Sequence, residues 1–354
     1  MSVLERIRPD LAGFVPYASA RRAGHRAGIR LDANEAPWLQ AGDGSGLNRY
    51  PSPQPTELLA ALAGLYGVRP GQVYAGRGSD EAIDLLVRLF CRAGRDNVVT
   101  LAPTFGMYQV AASLQGVALR RQTLDPEQDF ALDPQRLLDL VDDDTRLVFL
   151  CSPNNPTGTD FHAQVEPLAR DLAGRALLVV DEAYVEFAGH EGAAGLLDRH
   201  ENLAILRTLS KLHALAGARV GALLAAEPLV ARIAAIAAPY PLPAPSVAAA
   251  LAALAPPALA RTLALRDGLL AERERVRAAL AALPGIDRVW PSAGNFLLLR
   301  CHDAGATFAR ALAGDVLLRD VSGQPGLAGC LRASIGTRAD NDALLAALAD
   351  GVPA

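Results

Sequence analysis

Lys211 stands in a polar loop that suits chemistry at its side-chain amine. The loop follows an apolar run at residues 203–206, which we interpret as the end of a buried strand, and it also carries Thr208, Ser210 and Arg219. A lysine at the mouth of an apolar run loses its proton easily and can form a Schiff base with an aldehyde. Hydroxyls and a guanidinium suit a phosphate, which needs hydrogen-bond donors and positive charge. The loop therefore predicts a pyridoxal-phosphate site, although a lone lysine in such a loop is more often simply solvated.

Polar residues follow two other apolar runs in the same way. Asn155 comes after one predicted strand and Asp181 ends the next. Ligands of open α/β sheets bind outside the carboxyl ends of the strands, so we expect these residues to meet Lys211 at one edge. Asp181 opposite a pyridine nitrogen would keep that nitrogen protonated, and Asn155 and Tyr184 can donate to the ring's phenolate oxygen. Taken alone, each has a plainer interpretation: a helix-capping aspartate, a turn asparagine and a half-buried tyrosine.

A glycine-rich turn, Gly76-Arg-Gly-Ser-Asp-Glu81, opens an amphipathic helix. Free backbone amides at such a helix start, here at Ser79 and Asp80, can bind a phosphate. The turn is half of a dinucleotide-binding fingerprint, but Glu81 occupies the third glycine position and no strong strand precedes it. This disfavours a nicotinamide-dependent dehydrogenase. Because Asp80 and Glu81 already bring negative charge to this helix start, we expect the positive charge of Arg219 to compensate for it.

Three further side chains are candidates for contacts with a ring or a substrate. Tyr108, just inside a helix that follows Pro103, could stack on a flat ring or pack in the core. Arg332 lies on the opposite strand face from its apolar neighbours, where it could hold a carboxylate or phosphate with a bidentate fork. Arg319 ends the preceding strand and could assist. The alternative for each arginine is a surface ion pair, worth about 0 to 1 kcal/mol.

Composition narrows the class of protein. The chain has 354 residues, 51% of them apolar and 20% charged, with a formal net charge of −4. This balance offers no basic surface to nucleic acid or to an anionic membrane. The four cysteines are far apart and read as reduced core residues. We find neither a signal peptide nor an apolar run near the roughly 20 residues that span a bilayer, so we expect a cytoplasmic protein.

The order of predicted elements indicates an α/β fold. Apolar strands at about 97–101, 146–151, 176–180, 203–206 and 220–225 are separated by helices. Continuous apolar strands of this kind argue for a mostly parallel sheet covered on both faces. Four prolines within residues 239–245 suggest a boundary, after which the pattern is α+β. We therefore predict an N-terminal arm (1–27), a large domain (28–240) and a small C-terminal domain (241–354).

The motifs follow one another in a specific order. They are Leu31-Asp-Ala-Asn-Glu, Arg49-Tyr-Pro, Gly78-Ser-Asp-Glu-Ala-Ile-Asp, Ser152-Pro-Asn-Asn-Pro-Thr-Gly, Asp181-Glu-Ala-Tyr, Thr208-Leu-Ser-Lys, and Arg319-Asp with Cys330-Leu-Arg. Between Tyr17 and Arg338 the chain resembles the histidinol-phosphate aminotransferases, within the fold-type-I pyridoxal-phosphate enzymes. The resemblance implies a large domain with a mostly parallel seven-stranded sheet and a smaller α+β domain.

The resemblance also implies a role for each candidate residue. Lys211 would hold the cofactor aldehyde, Asp181 the ring nitrogen, and Asn155 and Tyr184 the ring oxygen, with Tyr108 stacked on the ring. The phosphate would be held by the backbone amides of Ser79 and Asp80, together with Thr208, Ser210 and Arg219. Family members are homodimers in which the tyrosine matching Tyr50 reaches the neighbour's site. Substrate-binding positions match Tyr17, Asn34, Tyr50, Asn155, Arg319 and Arg332, whereas His213 replaces a more usual phenylalanine.

The implied reaction is a ping-pong transamination in histidine biosynthesis. It reversibly converts L-histidinol phosphate and 2-oxoglutarate into imidazole-acetol phosphate and L-glutamate, and Lys211 transfers the proton. An aromatic amino-acid aminotransferase and a threonine-phosphate decarboxylase are alternatives within the class. A cofactor-binding regulatory module without catalysis is the alternative outside it. The histidines show no metal-ligand spacing, so no metal is expected.

Overall fold

A computed structural model describes residues 2–11, 13–16, 31–40 and 46–349. Seven strands form the larger sheet: β1 (Val73–Gly76), β2 (Asn97–Ala102), β3 (Ala118–Thr123), β4 (Thr145–Cys151), β5 (Leu177–Asp181), β6 (Leu203–Thr208) and β7 (Gly221–Ala225). Their spatial order is β1-β7-β6-β5-β4-β2-β3. Strand β7 is antiparallel to both of its neighbours, and the other pairs are parallel. The predicted mostly parallel, seven-stranded sheet is confirmed.

Helices cover both faces of this sheet, which explains why its central strands are apolar on both sides. The helices are α1 (Thr56–Tyr66), α2 (Gly78–Phe90), α3 (Met107–Leu114), α4 (Pro134–Leu138), α5 (His162–Asp171), α6 (Glu227–Ile236), α7 (Ala244–Leu254), α8 (Pro256–Ala281), α9 (Ala304–Ala313) and α10 (Arg338–Ala349). One core packs α2, α3 and α6 on the sheet through Ile83, Ala111 and Leu229. The other core packs α1 and α5 on the opposite face through Leu62 and Val165.

A second, antiparallel sheet follows in the C-terminal part. It consists of β8 (Ile286–Val289), β9 (Phe296–Cys301), β10 (Arg319–Asp320) and β11 (Cys330–Ser334), in the order β10-β11-β9-β8. Val276, Leu280 and Ala311 form a separate core between this sheet and helices α8 and α9. Trp290 and Leu298, in contrast, join the core of the larger sheet. The smaller α+β part is as predicted, while the exact domain boundaries stay predictions.

The prediction that no strong strand precedes the glycine-rich turn is wrong. Residues Val73–Gly76 form β1. The strand is only four residues long, which is too short to be predicted from its hydrophobic pattern. Since β1 pairs antiparallel with β7, the turn does not open a parallel βαβ unit of the dinucleotide-binding kind. Strands β3 and β8 were also not predicted, because charged residues interrupt their apolar pattern.

Other local predictions agree with the structure. All four cysteines are buried and free. A capping box starts α10, since Thr337 Oγ1 accepts from the Asp340 amide at 3.3 Å and Thr337 N donates to Asp340 Oδ2 at 2.9 Å. Within the described residues, no single helix is long and apolar enough to cross a membrane. Only α7 and α8 taken together, with a bend of 71° between them, meet the length and composition of a span.

Candidate active site

Strands β4, β5 and β6 end side by side, and a cavity opens at this edge of the larger sheet. The residues that line it come from seven separate parts of the chain: Ser79, Asp80, Phe105, Cys151, Asn155, Asp181, Ala183, Tyr184, Thr208, Ser210, Lys211 and Arg219. Nine of these were predicted site residues. The cavity therefore collects side chains that lie more than a hundred residues apart in sequence.

Asp181 supplies a buried carboxylate to the cavity. Its Oδ2 accepts a hydrogen bond from the Tyr108 hydroxyl at 2.7 Å, and its Oδ1 accepts from the Ala183 amide at 3.2 Å. Burial raises the pKa of Asp181 to about 6, and the Tyr108 hydrogen bond opposes that rise. A cation placed next to Asp181 would offset the cost of burying the carboxylate. The position therefore suits a protonated ring nitrogen.

Lys211 projects its amine into the same cavity from the loop after β6. The loop turns tightly, with the Ala214 amide donating to the Lys211 carbonyl at 3.2 Å. The amine lies 5.3 Å from the centre of the Tyr184 ring. Although Lys211 as a whole residue is exposed, desolvation of its amine among the cavity side chains lowers the pKa of Lys211, and the nearby positive charge of Arg332 lowers it further. An amine that gives up its proton more readily is a better nucleophile for an aldehyde.

The composition of the chain adds a signal that the motif analysis missed. Lysine and arginine together number 34, and the sequence contains a single lysine, Lys211. Every other such cation is an arginine. The only ε-amino group of the chain therefore lies in this cavity, in a chain that otherwise uses arginine for positive charge.

The start of α2 and the loop before β7 form a cradle for an anion. Arg219 donates to Asp80 Oδ2 at 3.1 Å and lies 3.5 Å from the Ser210 hydroxyl, as expected of a positive charge that compensates for Asp80. A Cβ at Gly221 would stand 2.6 Å from the Ser79 backbone nitrogen, and one at Gly78 would stand 2.7 Å from the Arg219 guanidinium. The glycines thus let the α2 amides, the arginine and the loop hydroxyls converge.

A chain of polar contacts joins the two sheets across the cavity. Arg332 on β11 donates to Asn155 Oδ1 at 2.5 Å, and Asn155 Nδ2 lies 3.4 Å from the Tyr184 hydroxyl. The Arg332 guanidinium also lies 5.5 Å from the centre of the Phe296 ring, which meets Tyr184 edge-on at 5.1 Å. Arg332 is therefore held at the cavity edge by contacts that leave part of its donor set for a ligand.

The stacking role predicted for Tyr108 does not fit the structure. Its ring is fully buried and packs face to face on Phe149, with 4.8 Å between ring centres. In this segment the aromatic side chain that lines the cavity is Phe105, three residues earlier. Burial leaves the Tyr108 hydroxyl in contact with Asp181, so its position suits orientation of that carboxylate. Phe105 is a site candidate that the sequence analysis missed.

The remaining predicted residues lie outside this cavity. Tyr50 is half exposed, its amide donates to Glu35 at 2.7 Å, and its ring stacks on Tyr240 at 4.6 Å. Asn34 is exposed with a positive φ of 55°. Arg319 lies opposite Arg332 in the β10–β11 register. Tyr17 lies outside the described residues.

The donor set fits pyridoxal phosphate and no metal ion. A buried carboxylate, an amine of lowered pKa and a cradle of hydroxyls, amides and guanidinium match its ring nitrogen, aldehyde and phosphate. Within the described residues, no cluster of three or more histidine, cysteine or acidic side chains could hold a metal.

Comparison with known proteins defines the class. Residues 13–348 match the family described as aminotransferase class I and II, and the chain belongs to this family. The histidinol-phosphate aminotransferase of Stenotrophomonas maltophilia (strain R551-3) is 50% identical over 350 residues, which are 98% of this chain and 96% of that protein. The enzyme of the same name from Xanthomonas euvesicatoria pv. vesicatoria (strain 85-10) is 47% identical over 351 residues, 98% of this chain and 97% of that one.

Solved structures agree with the fold. The histidinol-phosphate aminotransferase of Sinorhizobium meliloti, in complex with pyridoxal-5'-phosphate, has a TM-score of 0.78 at 28% identity. The match covers 97% of this chain and 89% of that one. The Clostridium acetobutylicum enzyme of the same name, at 22% identity, has a TM-score of 0.77 over 86% of this chain and 90% of that one and supports the fold alone. The predicted family, fold and enzyme class are confirmed.

Proposed function

We propose that this aminotransferase is a histidinol-phosphate aminotransferase of histidine biosynthesis that uses pyridoxal 5'-phosphate. The observation that carries the proposal is the 50% identity with the Stenotrophomonas maltophilia enzyme across nearly the whole of both chains. The cavity supports it, because Lys211, Asp181 and Asn155 line one space at the ends of three neighbouring strands. The S. meliloti structure contains the same cofactor.

Each cavity residue has a role that follows from its surroundings. The cofactor supplies, when bound, an electron-withdrawing ring that stabilises negative charge at the substrate's α-carbon. Asp181, oriented by Tyr108, holds a proton on the ring nitrogen. Asn155 and Tyr184 donate to the ring oxygen, and Phe105 covers the ring. Ser79, Asp80, Thr208, Ser210 and Arg219 hold the cofactor phosphate around the start of α2.

Lys211 serves in two ways. It would hold the cofactor aldehyde between turnovers, and once freed by the incoming substrate, its amine would take up the proton of the substrate's α-carbon and return it. The pKa of the amine is lowered by burial and by Arg332, so the free base forms closer to neutral pH. One residue thus supplies both the attachment point and the general base.

Two unlike substrates must bind the same site. L-Glutamate and 2-oxoglutarate present a second carboxylate, whereas L-histidinol phosphate presents a phosphate. Arg332, with Arg319 on the adjacent strand, can bind either anion, because a guanidinium fork matches both. Asn34 and Tyr17 complete the proposed substrate site.

The proposed enzyme is a cytoplasmic homodimer with its sites at the subunit interface. Tyr50 supports this arrangement, since half of its surface is exposed and its backbone is held by Glu35. A second copy of the chain would cover Tyr50 and bring it to the neighbouring cavity.

Two half-reactions test the function. The purified protein should show visible absorbance from bound cofactor, which L-histidinol phosphate alone should remove and 2-oxoglutarate should restore, with L-glutamate as product. Higher kcat/KM with an aromatic amino acid would make it an aromatic aminotransferase. Carbon dioxide release from threonine phosphate without keto-acid consumption would make it a decarboxylase. Bound cofactor with no response to any substrate would leave a non-catalytic binding protein.

A further inference from the structure

A buried ion pair lies directly behind the cavity, on the other face of the larger sheet. Arg207 precedes Thr208, and Glu182 follows Asp181. The Arg207 guanidinium lies 2.9 Å from Glu182 Oε2, and the two side chains are only 5% and 2% exposed. Because side chains alternate between faces at a strand end, Thr208 and Asp181 face the cavity while their neighbours face away. The pair thus backs two cavity residues on adjacent strands.

The contact within the pair is an ion pair without hydrogen-bond geometry, and hydrogen bonds to other groups fix both of its members. Glu182 accepts from the Ala193 amide at 2.7 Å, and its own amide donates to the Leu206 carbonyl at 2.9 Å. Arg207 donates to the Glu191 carbonyl at 2.6 Å. These contacts connect the end of β5, the end of β6 and the loop at residues 191–193. A shift of one strand end relative to the other would break them together.

The residues packed around the ion pair leave it little free space. Gly192 has a φ of 83°, and a Cβ there would stand 2.5 Å from a Glu182 oxygen and 2.8 Å from the Arg207 guanidinium. The Tyr66 ring lies 5.0 Å from the guanidinium, and Glu186 lies 3.5 Å from it. A buried ion pair is weak evidence of a stability role, because apolar residues of similar volume often replace one without loss. A positional role explains the arrangement better.

We propose that Arg207 and Glu182 are positioning residues that set the spacing between Asp181 and the loop carrying Lys211. The two groups must reach opposite sides of one pyridine ring, so an error in the distance between β5 and β6 acts directly on cofactor affinity. The inference rests on the proposed function, since it assigns the pair a role toward pyridoxal phosphate. Neither residue touches the cavity.

The first test compares two neutralised carboxylates by titration of the apoprotein with pyridoxal phosphate. Glu182→Gln keeps the side-chain volume and the acceptor for Ala193 but removes the charge that links the strand ends. Glu186→Gln is the matched control, because Glu186 also faces Arg207 but does not join β5 to β6. We expect about tenfold weaker cofactor binding in Glu182→Gln and a change within about twofold in Glu186→Gln. Equal losses in both variants would overturn the proposal.

The second test separates position from stability. The double variant Glu182→Gln with Arg207→Met is made in the Glu186→Gln background, so that it removes both charges of the pair and leaves no buried carboxylate without its cation. We expect a melting temperature close to that of the wild type, cofactor binding weakened by at least about tenfold, and a lowered kcat with little change in KM for L-glutamate. A folded double variant with wild-type cofactor affinity would show that the pair only fills space. Wild-type protein that binds no cofactor would instead overturn the proposed function.

Discussion

At the scale of single residues, the site depends on two ionisable groups whose burial moves their pKa values in useful directions. The pKa of Asp181 rises to about 6 and that of Lys211 falls, each mainly because burial disfavours the charged form. Under the proposed function, the cofactor ring would supply what each group lacks: a cation for Asp181 and an aldehyde for Lys211. The apoprotein therefore carries a local instability that cofactor binding relieves.

Asp181→Asn should stabilise the apoprotein while impairing the enzyme. The folded-state pKa of about 6 lies above the ordinary value of 3.8, so the carboxylate's contribution to stability falls as the pH rises from about 4 to about 6 and stays lowered above that. The cost at pH 8 is on the order of 3 kcal/mol. We expect the variant's melting temperature to exceed that of wild-type apoprotein more at pH 8 than at pH 5. An equal difference in melting temperature between variant and wild type at both pH values would contradict this account.

The same Asp181→Asn variant should lose activity, which would explain why the chain has a carboxylate that destabilises the apoprotein. Asparagine cannot hold the ring nitrogen protonated, so the transamination rate should fall by about two orders of magnitude or more. Saturating cofactor should not rescue it. A wild-type rate in this variant would show that Asp181 has no role in the mechanism.

Arg332→Gln should raise the pKa of Lys211 toward its usual value, because the nearby cation that lowers it is gone. Less free amine is then present at a given pH, so the pH dependence of cofactor uptake by the apoprotein should shift to higher pH. Arg319→Gln is the control, since Arg319 is exposed on the neighbouring strand. Equal shifts in both variants would mean that Arg332 has no specific effect on Lys211. KM for L-glutamate should also rise in Arg332→Gln.

At the scale of elements, the cavity depends on a close approach between β7 and the start of α2. Gly221 permits it, because a Cβ there would stand 2.5 Å from the Gly78 carbonyl carbon and 2.6 Å from the Ser79 nitrogen. Backbone atoms cannot move aside as a flexible side chain can. The α2 amides that we propose bind the cofactor phosphate are therefore placed by packing between two elements that are far apart in sequence.

Gly221→Ala should push the start of α2 away and weaken cofactor binding by about tenfold. The crowding should also cost about 1–3 kcal/mol of stability. Gly217→Ala is a matched control in the adjacent loop, since nothing lies within 4 Å of a Cβ at that position. Cofactor titration and thermal melting of both variants decide the matter. Unchanged affinity in Gly221→Ala would show that the α2 amides do not set it.

The sequence predicted elements well where the apolar pattern was strong and poorly where packing decides. Strands β4, β5 and β6 were foreseen because burial on both faces makes them continuously apolar, and so Asn155, Asp181 and Lys211 were placed at one edge. Strand β1 was not predicted, because four residues are too few to show a strand's hydrophobic pattern. The choice between Phe105 and Tyr108 depends on how α3 packs against Phe149, a contact between distant segments that no local pattern records.

At the scale of the whole molecule, one hydrophobic core contains residues of both sheets. In the proposed dimer, each site would likewise contain residues of both subunits. Trp290 packs in the core of the larger sheet although it belongs to the C-terminal part, and Arg332 meets Asn155 across the cavity. A site that combines this cavity with Arg332 from the C-terminal part is sensitive to the relative position of the two parts. The fold class followed from the order of elements, whereas this shared packing did not, because it joins residues with no sequence relationship.

Hybrid dimers should restore activity if each site takes Tyr50 from its neighbour. Lys211→Ala and Tyr50→Ala chains, each weakly active alone, are mixed under conditions that exchange subunits. Half of the resulting dimers are hybrids with one intact site, so activity should reach about a quarter of the wild type. Two Lys211→Ala preparations mixed together provide the control. Absence of any gain, with exchange verified by mass, would place Tyr50 in its own subunit's site.

The most direct measurement of the central claim is the site of covalent cofactor attachment. The purified protein is reduced with borohydride, digested and mapped by mass spectrometry, and the presence of one lysine in the chain leaves a single ε-amine to label. The account predicts about one cofactor per chain on Lys211, and none when L-histidinol phosphate has been added before reduction. A Lys211 peptide that stays unmodified in cofactor-loaded protein, or one whose labelling L-histidinol phosphate leaves unchanged, would contradict it.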